Sequence, residues 1–152
     1  MTKLEEILQK DLITAAKEKD TLKLSTLRLV KTEIQKERTK SGFKANEFND
    51  SAVEAILQKM CKERTETAEI YASNGREDLA NKELAEKKII IEYLPKQATI
   101  EEVKECVSAV IAETGASSMK DIGTVMKSVN AKLGSRSDGK TISAIVKEFL
   151  TK

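Results

Sequence analysis

The stretch Glu92-Tyr-Leu-Pro-Lys-Gln-Ala-Thr-Ile-Glu-Glu102 contains two signals that divide the chain. Pro95 is the single proline, and because proline lacks an N–H and disfavours a helical residue before it, it stops the preceding helical pattern. Thr99-Ile-Glu-Glu102 then matches the S/T-x-x-E capping box that starts a helix. The sequence therefore predicts a boundary at about residues 95–98, with one domain at 1–95 and a second at 96–152.

Before this boundary, apolar residues recur at the three- and four-residue steps that predict amphipathic helices. Residues that cap helices or form turns separate the periodic segments. The predicted helices run from about residue 3 to 18, from Asp20 to Ser41-Gly42, from Asp50 or Ser51 to Asn74-Gly75, and from there to Pro95.

After the boundary, the pattern predicts three shorter helices. The first follows Thr99 and ends at Gly115, Ser118 caps the second, and Asp138 caps the third. Gly123 falls inside the second pattern, where glycine is unfavourable, so we expect close approach of another helix or of a ligand there. Since no segment alternates with the period of two typical of strands, the fold class is all-α, a four-helix unit followed by a small three-helix unit.

The composition excludes several kinds of enzyme. The chain has no histidine, which rules out Ser–His and Cys–His nucleophiles, and it has no P-loop motif for nucleotide phosphates. Cys61 and Cys106 form no C-x-x-C pair, so we interpret them as reduced thiols rather than metal ligands. We therefore expect no catalytic residues, no metal and no cofactor. The absence of a signal-peptide or membrane-spanning pattern predicts a cytoplasmic protein with no membrane partner.

The positive charge is concentrated near the C-terminus. Residues 1–95 hold 18 basic and 18 acidic residues, and residues 96–114 hold two and four. Residues 115–152 hold seven and three, a difference of +4. An excess of this kind favours an anionic partner for the C-terminal helices.

The loop Leu133-Gly-Ser-Arg-Ser-Asp-Gly-Lys140 is the first candidate for that partner. Arg136 and Lys140 flank a predicted helix N-terminus, where cations and free backbone N–H groups together favour a phosphate. Equally, the loop could be a structural turn in which Asp138 caps the helix and Arg136 packs against the neighbouring domain. Lys120 and Lys127 are seven residues apart and are expected to share one side of the preceding helix. The candidate nucleic-acid-binding residues are Lys120, Lys127, Arg136 and Lys140.

Several blocks occur in order along the chain and together resemble the YqeY family of small bacterial proteins. They are Asn74-Gly-Arg-Glu-Asp-Leu-Ala-Asn-Lys-Glu83, Glu92-Tyr-Leu-Pro-Lys-Gln97, Gly115-Ala-Ser-Ser118, Asp121-Ile-Gly-Thr-Val-Met126 and Arg136-Ser-Asp-Gly-Lys140. The C-terminal part also resembles the tail of GatB, the subunit of the tRNA-dependent amidotransferase whose chemistry lies in a separate, larger domain. The resemblance implies an all-helical, tail-like protein without that catalytic domain and with tRNA or another folded RNA as partner.

These observations lead to one main hypothesis and two alternatives. The first is a nonenzymatic RNA-associated protein that contacts the nucleic-acid backbone through its basic C-terminal unit. The second, from the family connection, is an accessory or amidotransferase-like factor, a carbon–nitrogen ligase with glutamine as amido-N donor. The third is a protein-interaction module, with a partner in the translation or aminoacylation machinery.

Overall fold

The computed structural model describes residues 1–151, and Lys152, the last residue of the second predicted domain, lies outside the described residues. Within residues 1–151 the chain is helical and contains no strand, which confirms the all-α prediction. The α-helices are α1 (Lys3–Lys17), α2 (Thr21–Arg38), α3 (Asp50–Ser73), α4 (Glu77–Ile91), α5 (Ile100–Thr114), α6 (Ile122–Leu133) and α7 (Gly139–Leu150). Short 3-10 turns occur at Ala45–Glu47, Met119–Asp121 and Gly134–Arg136.

The chain divides into two compact units, Met1–Leu94 and a second unit that begins at Pro95. The first unit contains α1 to α4 and the second contains α5 to α7. None of the helices in the described part of the chain combines the length and the apolar character that crossing a membrane requires.

The core of the first unit is built from aliphatic side chains of all its helices. Burial of such side chains is the main favourable term in folding. The buried cluster consists of Leu4 and Leu8 of α1, Leu27, Val30 and Ile34 of α2, Val53, Leu57, Met60 and Cys61 of α3, and Ile90 and Leu94 at the end of the unit.

Helices α3 and α4 form a long antiparallel hairpin around Gly75. Gly75 has a φ of +74°, a left-handed conformation that glycine adopts without strain, as the Asn-Gly pair predicted. The side chains of Arg64 and Glu86, equally far from Gly75 in sequence, form an ion pair with Nε and Oε2 3.1 Å apart. From residue 62 to residue 88, no described residue belongs to the core cluster of the unit. The outer half of the hairpin is therefore held by contacts between its own two helices.

A buried carboxylate joins α1 to the end of α2. Glu5 is buried and accepts a hydrogen bond from the guanidinium of Arg38. The same guanidinium lies 4.8 Å from the ring centroid of Phe48, which in turn contacts Phe43 edge to face. Arg38 thus stabilises the loop after α2 as well as α1.

In the first unit, the helix boundaries differ from the sequence predictions at three places. Helix α2 ends at Arg38 rather than at Ser41-Gly42. Asn49, not Asp50 or Ser51, caps α3 by accepting a hydrogen bond from the Ala52 N–H at 3.1 Å. Asp50 instead accepts a hydrogen bond from the Leu4 N–H at 3.0 Å, a contact between distant parts of the chain. Helix α4 ends at Ile91, before Pro95, because the N–H groups of Tyr93 and Leu94 bond to carbonyls three residues back.

The end of the first unit is tied to α1 by a hydroxyl–carboxylate hydrogen bond. The Tyr93 hydroxyl donates to Asp11 Oδ2 at 2.6 Å. Burial, followed by this hydrogen bond and the charges of Asp11 and Glu92, raises the pKa of Tyr93 well above its usual range. The folded protein therefore holds the hydroxyl proton more tightly than the unfolded chain does.

Replacement of Tyr93 by phenylalanine is expected to lower the free energy of unfolding by about 1 kcal/mol near neutral pH, because the hydrogen bond to Asp11 is lost. The contribution of a group with a raised pKa is present below its unfolded pKa, about 10 for tyrosine, and is lost as the pH rises further. The stability difference between wild type and Tyr93→Phe should therefore shrink in alkaline solution. Urea unfolding at neutral and alkaline pH measures it, and an equal difference at both would contradict the assignment.

The second unit has a core of its own and two of the three caps that the sequence predicted. Its buried cluster consists of Val103, Val107 and Val110 of α5, Val125, Val129 and Leu133 of α6, and Ile142, Ile145, Val146 and Leu150 of α7. The Thr99 hydroxyl accepts a hydrogen bond from the Glu102 N–H at 3.1 Å, and Asp138 accepts one from the Thr141 N–H at 2.7 Å. These contacts confirm the predicted starts of α5 and α7. The prediction that Ser118 caps α6 is wrong, because Ser118 accepts a hydrogen bond from the Lys120 N–H at 3.4 Å in the turn Met119–Asp121, and Asp121 is the N-cap of α6.

Candidate functional site

The candidate residues lie on α6, on α7 and on the turns that precede these helices. Lys120 lies in the 3-10 turn Met119–Asp121, Lys127 in the middle of α6, and Lys140 in the first turn of α7. These lysines are exposed, whereas Arg136, at the end of the turn Gly134–Arg136, is partly covered.

The sequence places Lys127 on the outer side of α6. Val125 and Val129 lie on the buried side, and a residue two positions from each of them points away from it. Lys120 precedes the helix, so the seven-residue spacing within one α-helix does not relate it to Lys127. The seven-residue spacing therefore gives no support to the prediction that both lysines lie on one side of the helix.

Arg136 is held by groups of the second unit. Its Nε donates to the Lys96 carbonyl at 3.0 Å, and its Nη2 donates to Glu102 Oε2 at 2.6 Å. Its own carbonyl accepts a hydrogen bond from the Ala98 N–H at 2.8 Å. The partners are the start of the second unit and α5, so Arg136 stabilises this unit in the structure.

Glu102 contributes both to a helix cap and to this ion pair. Its carboxylate lies 3.4 Å from the Thr99 hydroxyl in the predicted capping box. The hydrogen bond from Arg136, with smaller contributions from its charge and from Thr99, lowers the pKa of Glu102. The capping-box pattern predicts the cap but not the contact with the guanidinium, since nothing in the local sequence relates Glu102 to a turn 34 residues away.

A second cation of this region is also paired with α5. Lys132 Nζ, near the end of α6, lies 3.0 Å from Glu113 Oε1. Lys132 and Arg136 therefore both bind carboxylates of α5, and Glu101 and Glu105 are exposed on that helix.

Lys147 belongs with the candidate lysines although the predicted site did not include it. It is exposed and lies seven residues after Lys140 within α7. Residues at this spacing lie on the same side of an α-helix, so Lys140 and Lys147 face solvent together. The signal was present in the sequence as a lysine pair at helical spacing.

The space beside Gly123 is open. A Cβ atom built on it would meet no heavy atom within 4 Å outside its own local backbone. The expected close approach of another helix is therefore wrong. Gly123 lies exposed in the first turn of α6, between Lys120 and Lys127 in sequence.

The two cysteines of the chain are both free thiols. Cys61 is buried, and burial raises the pKa of its thiol despite the nearby charges of Lys87 and Arg64. Cys106 is half-buried beside the core of the second unit. Across residues 1–151, no cluster of three or more His, Cys, Asp or Glu side chains could hold a metal ion.

Comparison with known proteins shows the family to which this chain belongs. Residues 5–150 match the family described as Yqey-like protein. The chain belongs to the Yqey-like family. The match spans both helical units, so the resemblance seen in the ordered sequence blocks is confirmed.

Two curated yeast relatives carry the name "Altered inheritance of mitochondria protein 41, mitochondrial". The protein of Vanderwaltozyma polyspora is 36% identical over 87 residues, which cover 57% of this chain and 46% of the relative. The protein of Meyerozyma guilliermondii is 39% identical over 87 residues, which cover 57% of this chain and 44% of the relative. The alignments thus span less than half the length of either relative. The location in these names is mitochondrial, and the cytoplasmic location of this Yqey-like protein stays a prediction.

Proposed function

We propose that this Yqey-like protein is a nonenzymatic protein that binds the backbone of tRNA or another folded RNA through the second, three-helix unit. The observation that carries the proposal is the exposure of a set of lysines along α6, α7 and the turn before α6. We call this set the C-terminal lysines; it comprises Lys120, Lys127, Lys140 and Lys147.

The acidic residues among these lysines are held closer to the backbone. Asp121 accepts a hydrogen bond from the Ser117 N–H at 3.0 Å, and Asp138 accepts one from the Thr141 N–H at 2.7 Å. Lysine side chains extend several ångströms further than these short carboxylates. Positive charge is therefore what a polyanion meets first along most of this segment. Asp138 and Glu148 are the exposed carboxylates of the segment, and Glu148 is the longer of the two.

The same unit lacks a platform for stacking unpaired bases. Phe149 is the single aromatic residue in the sequence after Tyr93, and it packs against the buried core of the second unit. Recognition of single strands usually relies on exposed aromatic side chains. Contacts to phosphates of a folded RNA fit the available side chains better, and such contacts depend strongly on salt.

The test measures binding of the nuclease-treated protein to bulk tRNA and to duplex DNA of matched charge, between about 50 and 200 mM salt. We expect preference for tRNA and a slope of about −2 to −4 in log K against log salt, since roughly three to five phosphates are neutralised. The triple variant Lys120→Gln, Lys127→Gln, Lys140→Gln should lose at least about tenfold in affinity and have a shallower slope.

A matched variant removes the same charge from the first unit. Lys62, Lys82 and Lys88 are exposed on the outer half of the α3–α4 hairpin, and their change to glutamine should alter tRNA affinity by less than about twofold. Equal losses in both triple variants would mean that total charge, not the second unit, sets the affinity. No binding at the lowest salt would refute the proposed function.

An amidotransferase-related role is a second proposal and derives from the sequence resemblance. It predicts that the protein, added to a tRNA-dependent amidotransferase, raises the rate of conversion of Glu-tRNA(Gln). An unchanged rate in the presence of saturating protein would refute it.

A further inference from the structure

Hydrogen bonds hold the first residues of the second unit against the turn before α7. The Gln97 side-chain amide donates to the Ser135 carbonyl at 3.1 Å, and the Ala98 N–H donates to the Arg136 carbonyl at 2.8 Å. Arg136 Nε donates in return to the Lys96 carbonyl at 3.0 Å. We call the segment Pro95–Ala98 the linker, because it follows the last residue of the first unit.

We propose that Arg136 is a clamp on this linker, and that an RNA phosphate which engages its guanidinium opens the clamp. The inference rests on the proposed function and deepens it, since it names how RNA binding would be sensed. The guanidinium bridges the linker, through the Lys96 carbonyl, and α5, through Glu102. A backbone phosphate, like a carboxylate, offers the guanidinium two oxygens and one negative charge, and the neighbouring phosphates of the RNA add further attraction.

The exposure of the ion pair makes this exchange accessible. The side chains of Arg136 and Glu102 keep 39% and 42% of their surface exposed to solvent. Ion pairs with such exposure contribute little net stability, so a competing phosphate has little to overcome. The pair Arg64–Glu86 in the first unit, at 12% and 10% exposure, offers no such access.

Cleavage by trypsin after Lys96 reports directly on the clamp. The bond that trypsin cuts contains the Lys96 carbonyl, and that oxygen accepts the hydrogen bond from Arg136. The residues after the bond are held as well, by the side chain of Gln97 and the N–H of Ala98. A protease must pull such a segment away from the fold before it can cut, so the rate follows local opening.

The first experiment compares Arg136→Gln with wild type in limited trypsin digestion, with fragments 1–96 and 97–152 quantified by mass spectrometry. We expect cleavage after Lys96 to rise on the order of tenfold in the variant. Lys132→Gln is the matched control, because it removes one charge and the ion pair to Glu113 but touches no linker atom. Equal cleavage rates in the two variants would overturn the clamp.

A second variant guards against misfolding of Arg136→Gln. Glu102→Gln leaves the contact between Arg136 and the Lys96 carbonyl in place but removes the carboxylate that holds the guanidinium. Its cleavage rate should lie between those of wild type and Arg136→Gln. A rate equal to that of Lys132→Gln would count against the clamp.

The second experiment adds bulk tRNA to the wild-type protein at low salt and follows the same cleavage. A several-fold faster cut after Lys96, absent in Arg136→Gln, is the expected result. Bound tRNA with unchanged or slower cleavage would refute the coupling while the proposed function stands. If tRNA does not bind, the proposed function and its coupling to Arg136 both fail, and the comparison of Arg136→Gln with Lys132→Gln still decides whether Arg136 holds the linker.

Discussion

Replacement of Arg64 by methionine is expected to lower the free energy of unfolding by about 3–5 kcal/mol, because Glu86 is left as a buried charge without its partner. Arg64 Nε lies 3.1 Å from Glu86 Oε2, and Arg64 Nη1 donates to the Met60 carbonyl at 3.2 Å. Only 10% of the Glu86 side chain is exposed, so water cannot replace the lost guanidinium. Urea unfolding followed by circular dichroism at neutral pH measures the loss.

Two control variants separate the buried charge from other effects. In the double variant Arg64→Met, Glu86→Leu, no unpaired charge remains, and the free energy of unfolding should return to within about 1 kcal/mol of wild type. Lys59→Met breaks an exposed ion pair on the same helix, Lys59–Glu63, and should cost less than about 1 kcal/mol. If Arg64→Met costs no more than Lys59→Met, Glu86 is solvated and the pair does not hold the hairpin.

Helix positions followed from the sequence where the signals are local. Thr99 and Asp138 cap their helices through N–H groups three residues ahead, and Gly115 ends α5 in the left-handed conformation at a φ of +69°. Such contacts depend on residue type and short spacing, both of which are visible in the sequence. The fold class followed from the apolar period for the same reason.

Contacts between distant segments could not be predicted in this way. Arg38 at the end of α2 binds the buried Glu5 of α1, 33 residues away, and no local pattern relates the two residues. Asp50 was expected to cap its own helix and instead accepts the N–H of Leu4, 46 residues away. The helix packing decides these pairs, because only packing brings the two segments within hydrogen-bonding distance.

In the candidate site, too, some features follow from the local sequence and others depend on how the helices pack. The exposure of Lys127 follows from its position between the buried Val125 and Val129, so the pattern alone predicts it. Arg136 is different, because its partners Lys96 and Glu102 come from the start of the second unit. The sequence left two interpretations of Arg136 open. In the structural one Arg136 packs against the neighbouring domain, whereas its partners Lys96 and Glu102 lie in its own unit.

Replacement of Ile142 by alanine is expected to cost about 2–5 kcal/mol and to unfold most of the second unit. Ile142 has no exposed surface and lies in the cluster that joins α5, α6 and α7. A unit of fewer than about 70 residues rarely has more than about 3–5 kcal/mol to lose. In ¹⁵N-labelled protein, we expect the amide signals of the second unit to collapse toward random-coil positions while those of the first unit stay dispersed.

Ile100→Ala is the matched control, since Ile100 begins α5 in the same unit but is 50% exposed, and the change should cost less than about 1 kcal/mol. Full dispersion of all signals in Ile142→Ala would contradict the marginal stability assigned to the unit.

The pair of variants also bears on RNA binding, because Ile142→Ala leaves every lysine in place. If tRNA affinity falls in Ile142→Ala and not in Ile100→Ala, binding depends on the fold that positions the C-terminal lysines rather than on their number. Equal affinity in both variants would instead mean that their charge suffices without the fold.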